Sequence, residues 1–197
     1  ATAPLANPLA IAIALVIAVL NTFNISFEDF NQGGQIITML LAPATAVLAL
    51  SVYNQLDVLK KNFLPTVAGC LTGSVTAIVS VLLMCRFFGL DQTLTASLLP
   101  KSVTTPIAVV ISEQHGGLAS ITVAAVVITG VFGTIFAPLL TRLFRIGNPV
   151  ATGVATGTSS HMGGTTAAIQ MGEVEGAMSS IAIGIAGLIT TLIALFL

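Results

Sequence analysis

The sequence predicts an all-α, polytopic membrane protein that carries two broken-helix, re-entrant hairpin segments in an inverted repeat. Three observations lead there. The first is composition: 55% of the 197 residues are hydrophobic and 7% are charged, where a soluble domain carries about 25% charged residues. Mean hydropathy is correspondingly high, at +1.05. The second is run length. Leu64 to Cys85, Leu118 to Thr141 and Gly176 to Leu197 hold no charge, and each is long enough to cross about 30 Å of hydrocarbon as a helix. The third is a conflict: Leu-Leu-Pro-Lys-Ser-Val-Thr-Thr-Pro at 98–106 and Ser-Ser-His-Met-Gly-Gly-Thr-Thr at 159–166 are polar and helix-breaking, yet lie inside apolar sequence. Irregular polar backbone at membrane depth is tolerated where it is buried in protein or lines a cavity, so both stretches read as parts of a site.

In chain order, Ala6 to Leu20 is a first apolar span, and Asn21 to Gly34 is a polar connection with Glu28, Asp29 and a formal glycosylation sequon at Asn24-Ile-Ser26. A second span runs from about Gln35 to Tyr53. Pro43 near its middle predicts a kink, with the Thr45 hydroxyl available to the freed backbone. Asn54 to Asn62, with Asp57, Lys60 and Lys61, is a short connector to the span Leu64 to Cys85. Within that span Gly69 and Gly73 form a small-xxx-small pair suited to close helix contact. Cys70 and Cys85 stand 15 positions apart, roughly 22 Å along a helix and too far to bridge. Arg86 and Asp91 mark the next boundary. Gln92 to Ser112 is then apolar except for Lys101, and Pro100 and Pro106 forbid one straight helix through it. Glu113 to Gly117 is a turn in which His115 reads as solvated or structural. Leu118 to Thr141 leads to Arg142 and Arg145, Asn148-Pro149 opens the second broken segment, Glu173 and Glu175 close it, and a last span follows.

Sliding the chain by 60 residues aligns Lys101–Ile121 with His161–Ile181, with identities at Thr105/Thr165, Ala108/Ala168, Glu113/Glu173, Gly116/Gly176, Ser120/Ser180 and Ile121/Ile181. This predicts, within a single domain over 1–197, one repeat unit at 91–143 and another at 148–197. Loop charge orients them. If Lys60 and Lys61 are cytoplasmic and the first broken segment dips in and returns, Arg142 and Arg145 join them and only Arg86 lies outside. A through-crossing would instead leave three cations outside and two inside, against the positive-inside rule. Each unit then has an odd number of crossings, so the two enter from opposite sides, as in transporters built from inverted repeats.

At each tip a helix is expected to restart after the break, near Ser102, Thr104 and Thr105 and again near Gly163, Gly164, Thr165 and Thr166. Helix N-termini present N–H groups and partial positive charge to anions, and glycines allow close approach to backbone. Lys101 and His161 occupy matched positions and have no acidic neighbour in their apolar segments. A small organic anion supplies the missing countercharge in this reading, held by those residues together with Ser159 and Ser160. Alternatives stay open: Lys101 as a snorkelling side chain and His161 as a neutral ring bonded to backbone.

The same residues speak against other classes. Two widely spaced histidines, two distant cysteines and no nucleotide-binding glycine loop offer no metal, cofactor or nucleotide site. Adjacent Ser160 and His161 lack the carboxylate and geometry of a catalytic triad. A net charge of −1 without a basic cluster excludes nucleic acid as partner. The lipid bilayer is the expected surrounding.

Ser-Phe-Glu-Asp-Phe-Asn-Gln-Gly-Gly at 26–34, Leu-Leu-Pro-Lys-Ser-Val-Thr-Thr-Pro-Ile-Ala at 98–108, Ser-Glu-Gln-His-Gly-Gly at 112–117, Gly-Thr-Ser-Ser-His at 157–161 and Gly-Glu-Val-Glu-Gly-Ala-Met-Ser-Ser at 172–180 resemble the LrgB/CidB membrane-protein family. The resemblance runs from about Pro8 to the C-terminus, with Lys-Ser-Val-Thr-Thr-Pro its most specific element. It implies a further N-terminal helix before Ala1, a small LrgA/CidA-type membrane protein as partner, a homo-oligomer, and location in a bacterial inner membrane or a plastid inner envelope. It also implies two functions: antiholin-like or holin-like control of murein hydrolase activity and lysis, or movement of small monocarboxylates of the glycolate, glycerate, pyruvate or lactate class. The anion-site reading favours alternating-access transport, with a holin/antiholin-like pore or regulator as the alternative. The sequence departs from the pattern of many bacterial relatives at Val110 and Gln170, where those have an acidic residue, and at Ala167, where they often have a basic one.

Overall fold

A computed structural model of the chain describes residues 8–40, 43, 53 and 56–197. It divides into two compact units, 1–47 and 48–197. In the first, α1 (Pro8–Thr22) begins on a proline, whose missing N–H costs nothing at a helix start. α2 (Phe27–Thr38) rises out of sequence expected to be a loop. The reason is its cap: Ser26 Oγ accepts from the Asp29 N–H at 3.1 Å and donates to Asp29 Oδ2 at 2.7 Å, while Glu28 and Asp29 complement the positive helix end. The expected kink at Pro43, with Thr45, falls in a stretch of which only Pro43 is among the described residues.

In the second unit the expected connector is helical as α3 (Leu56–Lys61), with Asp57 in its first turn and Lys60 and Lys61 in its last. That charge order suits the helix dipole. Among the described residues, three helices are long and apolar enough to cross a membrane: α4 (Phe63–Phe87), α7 (Ala119–Leu143) and α9 (Glu173–Ala194). Between them lie the short α5 (Gln92–Leu98) and α6 (Thr105–Gln114), and α8 (Pro149–Met171), which is broken at Ser160 and His161. The described residues are all-α, with no strand.

Both broken segments turn back. In the first, the Leu118 N–H donates to Ser97 Oγ at 2.8 Å. Gly117 lies so near the other arm that a Cβ would stand 2.8 Å from Ser97 N and 3.0 Å from the Ala96 carbonyl carbon. The chain leaves along α5, reverses at residues 99–104 and returns along α6, whose Ser112 accepts from Thr122 of α7 at 2.7 Å. The α5 arm has seven residues and the α6 arm ten.

The second hairpin shows itself through α9. Gly153 faces Glu175 and Met178, and Gly157 faces Ser179 and Ala182, so the first arm of α8 runs parallel to α9. Thr165 meets Ser179 and Ile169 meets Gly176, so the second arm runs antiparallel to it. The break at Ser160–His161 therefore reverses the chain. Gly176 at the start of α9 touches the second hairpin, whereas the Ala194 carbonyl at its end lies 2.9 Å from His115 Nε2, beside the first. The mouths of the two hairpins lie at opposite ends of α9.

Close approach holds this unit together. Apolar burial gains little where the solvent is lipid, so glycine-lined contacts and buried hydroxyl bonds carry packing. Gly69 faces Val154 and Gly73 faces Thr158, as the small-xxx-small pair predicts. Between them Cys70 is fully buried and accepts from Thr158 Oγ1 at 3.6 Å, and Cys70 and Cys85 are both free. Cys70, Val154, Met178, Ile181 and Ala182 make one core cluster, and Val103, Ala108 and Val126 make a second beneath the first tip.

Candidate functional site

The first tip is Pro100 to Thr104. Thr104 is the N-cap of α6, extended at φ −64 and ψ 147, and its side chain makes no capping bond. Its hydroxyl is buried and has no hydrogen-bond partner among the described residues, which in an apolar interior costs about 1–3 kcal/mol. Pro106 in the first turn fixes φ and removes one N–H; the remaining first-turn N–H groups are those that a helix cannot satisfy internally. Lys101 is half-buried, and its Nζ donates to Ser102 Oγ at 3.3 Å. Among the described residues the only ion pair is Lys60 with Asp57, at 3.9 Å on the surface. The Lys101 ammonium therefore lies at the tip without a countercharge.

Lys101 opens onto a cleft of about 780 Å³. Ser159 and Ser160 of the second tip line the same cleft, so the two tips share one cavity. Ser159 Oγ and Ser160 Oγ lie 3.2 Å apart. One face of α7, from Ile121 to Leu140, forms the wall; it includes Thr129, whose hydroxyl donates to Ala125 O at 2.8 Å. The Lys101 cation together with the Ser159 and Ser160 hydroxyls can bind an anion or another strong acceptor.

The rest of the second tip is occupied by protein. His161 holds φ at 42, a strained setting for a residue with a side chain, and its Nε2 donates to the Val126 carbonyl at 3.0 Å. The ring is buried against Gly130, does not line the cleft, and fits the backbone-bonded alternative. Gly163 and Gly164 make room for protein rather than ligand: a Cβ on Gly163 would strike Gly130 O, and one on Gly164 would strike Thr156 O. Thr165 is buried and paired with Ser179 Oγ at 2.7 Å. Thr166 is exposed and returns its proton to Met162 O at 3.0 Å. Of the expected site, Lys101, Ser159 and Ser160 line the cleft; Ser102 and Thr104 are buried beside Lys101, and Thr105 is half-buried.

Sequence reasoning missed the α7 side. Thr129 lines the cleft, Gly130 and Gly133 receive the second tip, and Thr134 Oγ1 bonds Gly163 O at 2.9 Å. The signal available was the small-residue run Thr-Gly-Val-Phe-Gly-Thr inside an otherwise ordinary span. His115 is structural as expected, its ring nitrogens 2.7 Å from Ile111 O and 2.9 Å from Ala194 O. Val110 and Gln170 are exposed and Ala167 is buried, and none of these three lines the cleft. No cluster of three His, Cys, Asp or Glu side chains able to hold a metal occurs among the described residues.

Three membrane-length helices with two hairpin tips on one cleft define an integral membrane protein built around broken helices. Comparison with known proteins makes this specific: the LrgB-like family matches residues 1–197, and the chain belongs to it. It is 39% identical over 187 residues to the antiholin-like protein LrgB of Bacillus mycoides strain KBAB4, covering 95% of this chain and 81% of that one. The proteins of the same name from Bacillus cereus strain B4264 and Bacillus anthracis strain CDC 684 / NRRL 3495 are each 38% identical over the same shares. No solved structure matches the chain.

Proposed function

We propose that the chain acts in the membrane in the antiholin-like role named for its relatives. The observation that carries this is 38–39% identity across 95% of the chain. In this reading it resides in a bacterial inner membrane, assembles with further copies of itself and with a small LrgA/CidA-type membrane protein, and restrains permeability rather than creating it. Residues 91–143 and 148–197 act as two inverted repeat units. The cleft supports restraint over a wide pore, because its polar groups gather at the tips and its α7 wall is mostly apolar.

A second reading is favoured by the Lys101 ammonium, which has no countercharge, and the unpartnered Thr104 hydroxyl. It makes the chain a carrier of small monocarboxylates of the glycolate, glycerate, pyruvate or lactate class, bound at the tips and moved by alternating access of the units. Proteoliposomes separate the two. The antiholin-like role predicts no saturable flux by the chain alone, and reduced dye leakage when it joins vesicles made leaky by an LrgA/CidA-type protein; unchanged leakage rules it out. The carrier predicts saturable counterflow of labelled glycolate or pyruvate by the chain alone, and absence of counterflow rules that out.

A further inference from the structure

We infer that His115 is a proton-operated clasp: as an imidazolium it ties the mouth of the first hairpin to the end of α9, and as a neutral ring it lets one of its two partners go. This stands apart from either reading of the cleft. His115 follows α6, and both of its ring nitrogens face a carbonyl, with Nδ1 2.7 Å from Ile111 O and Nε2 2.9 Å from Ala194 O. A neutral imidazole has one N–H and one lone pair. Either neutral tautomer therefore points a lone pair at a carbonyl oxygen at hydrogen-bond distance, which repels it; only the imidazolium donates to both. The acceptors suit a cation. Ile111 lies in the last turn of α6 and Ala194 ends α9, where a helix carries partial negative charge and carbonyls without helical partners. The His115 N–H, which would bond Ile111 O in a continued helix, goes to Ser112 O at 3.1 Å and leaves that carbonyl to the ring. Ala194 O also takes the Leu197 N–H at 3.3 Å and has a second lone pair for His115.

The helix ends are the groups that hold the charge. Glu113 is the one charged residue of α6 and is exposed; α9 has none after Glu175, and α7 has none before Arg142. Asp91 at the cap of α5 accepts from the Leu94 N–H at 2.7 Å, and Arg86 lies in the last turn of α4. Among the described residues His115 forms no ion pair with any of these or with the carboxylate at the chain end. The clasp also closes a joint with little else to hold it. Among the described residues it is the one hydrogen bond from residues 91–117 to α4, α8 or α9. Ile107 packs on Gly187 further up, so α6 lies along α9 with the Pro100–Thr104 tip at its other end, and opening the clasp frees the mouth of that arm. Gly69 faces Val154 and Gly73 faces Thr158, so α4 runs parallel to the first arm of α8 and hence to α9. His115 therefore stands at the membrane end opposite Lys60 and Lys61, and takes its proton from that side.

The test is nitrogen-15 NMR of the full chain, labelled on histidine, in phosphatidylcholine proteoliposomes at about pH 5.5 and about pH 8.5, either side of the range in which imidazole titrates. One histidine is expected to carry protons on both ring nitrogens in acid and on one in alkali, and its signal is missing from His115→Gln or, where that variant does not fold, from His115→Asn. The charged ring makes both bonds in the folded state and neither in the unfolded one, so protonation stabilises the fold and the gain is lost as pH rises. The unfolding midpoint of the parent should exceed that of the variant by about 2–4 °C in acid and by less than about 1 °C in alkali. Glu113→Gln should leave both results unchanged. If no histidine of the parent changes its proton count between the two pH values, the clasp is overturned without recourse to any variant. A change that persists in His115→Gln or His115→Asn belongs to His161 and overturns it. So does an equal midpoint difference at both pH values, or a pH dependence lost in Glu113→Gln, which would make that carboxylate and not the helix ends the partner of the charge.

Discussion

At the first tip, Lys101 finds Ser102 as its hydrogen-bond partner and the Thr104 hydroxyl finds none; at the second, His161, Gly163 and Thr165 are each held by protein through Val126, Thr134 and Ser179. The two hairpins share a plan of two short arms, a polar break and a long helix beside them, yet they differ in what the break lacks. The second has spent its polar groups on α7 and α9, and contributes Ser159 and Ser160 to the cleft from a fixed frame. The first keeps a cation and a hydroxyl in reserve. A broken helix is therefore not a binding site by virtue of being broken; the two tips differ in how far protein already satisfies their polar atoms.

Substitutions at the two tips separate these roles, beginning with the largest effect. Gly163→Leu drives a side chain into the Gly130 backbone and should cost about 3 kcal/mol, the upper end of what overpacking costs, read as loss of monodisperse protein in detergent. Lys101→Met should remove carboxylate binding tenfold or more, measured by dialysis, while the thermal unfolding midpoint barely moves. His161→Ala should do the reverse, losing about 1–3 kcal/mol with its bond to Val126, read as a lower midpoint with binding changed less than about threefold. Thr104→Val removes an unpartnered hydroxyl, so binding should weaken several-fold with stability unchanged or slightly higher, because burying a lone hydroxyl is itself unfavourable. Thr166→Val, on an exposed face, should change neither measurement, and any large loss there would return Thr166 to the site.

The sequence made much of this legible. Charge-free runs located α4, α7 and α9, loop cations favoured a return at Asp91–Gln114 over a crossing, and Pro100, Pro106 and the Gly pair located both breaks. Glycine function was less legible, because the same Gly163-Gly164 pair serves close packing or ligand approach, and only the Gly130 backbone opposite decides between them. His161 stayed open between two readings for a related reason: a lone polar ring in apolar sequence looks unpaired until the Val126 carbonyl is seen 35 positions away. α2 was hidden by its glycines and polar residues, which concealed the Ser26 cap.

Carboxylate binding by Lys101→Met and His161→Ala, compared side by side in nanodiscs with the unfolding midpoint of each, tests most directly whether the first tip is the site and the second its frame. The account predicts that Lys101→Met loses binding and keeps stability while His161→Ala keeps binding and loses stability. If His161→Ala abolishes binding at an unchanged midpoint, or Lys101→Met binds as the parent does, the division of labour between the two hairpins is wrong.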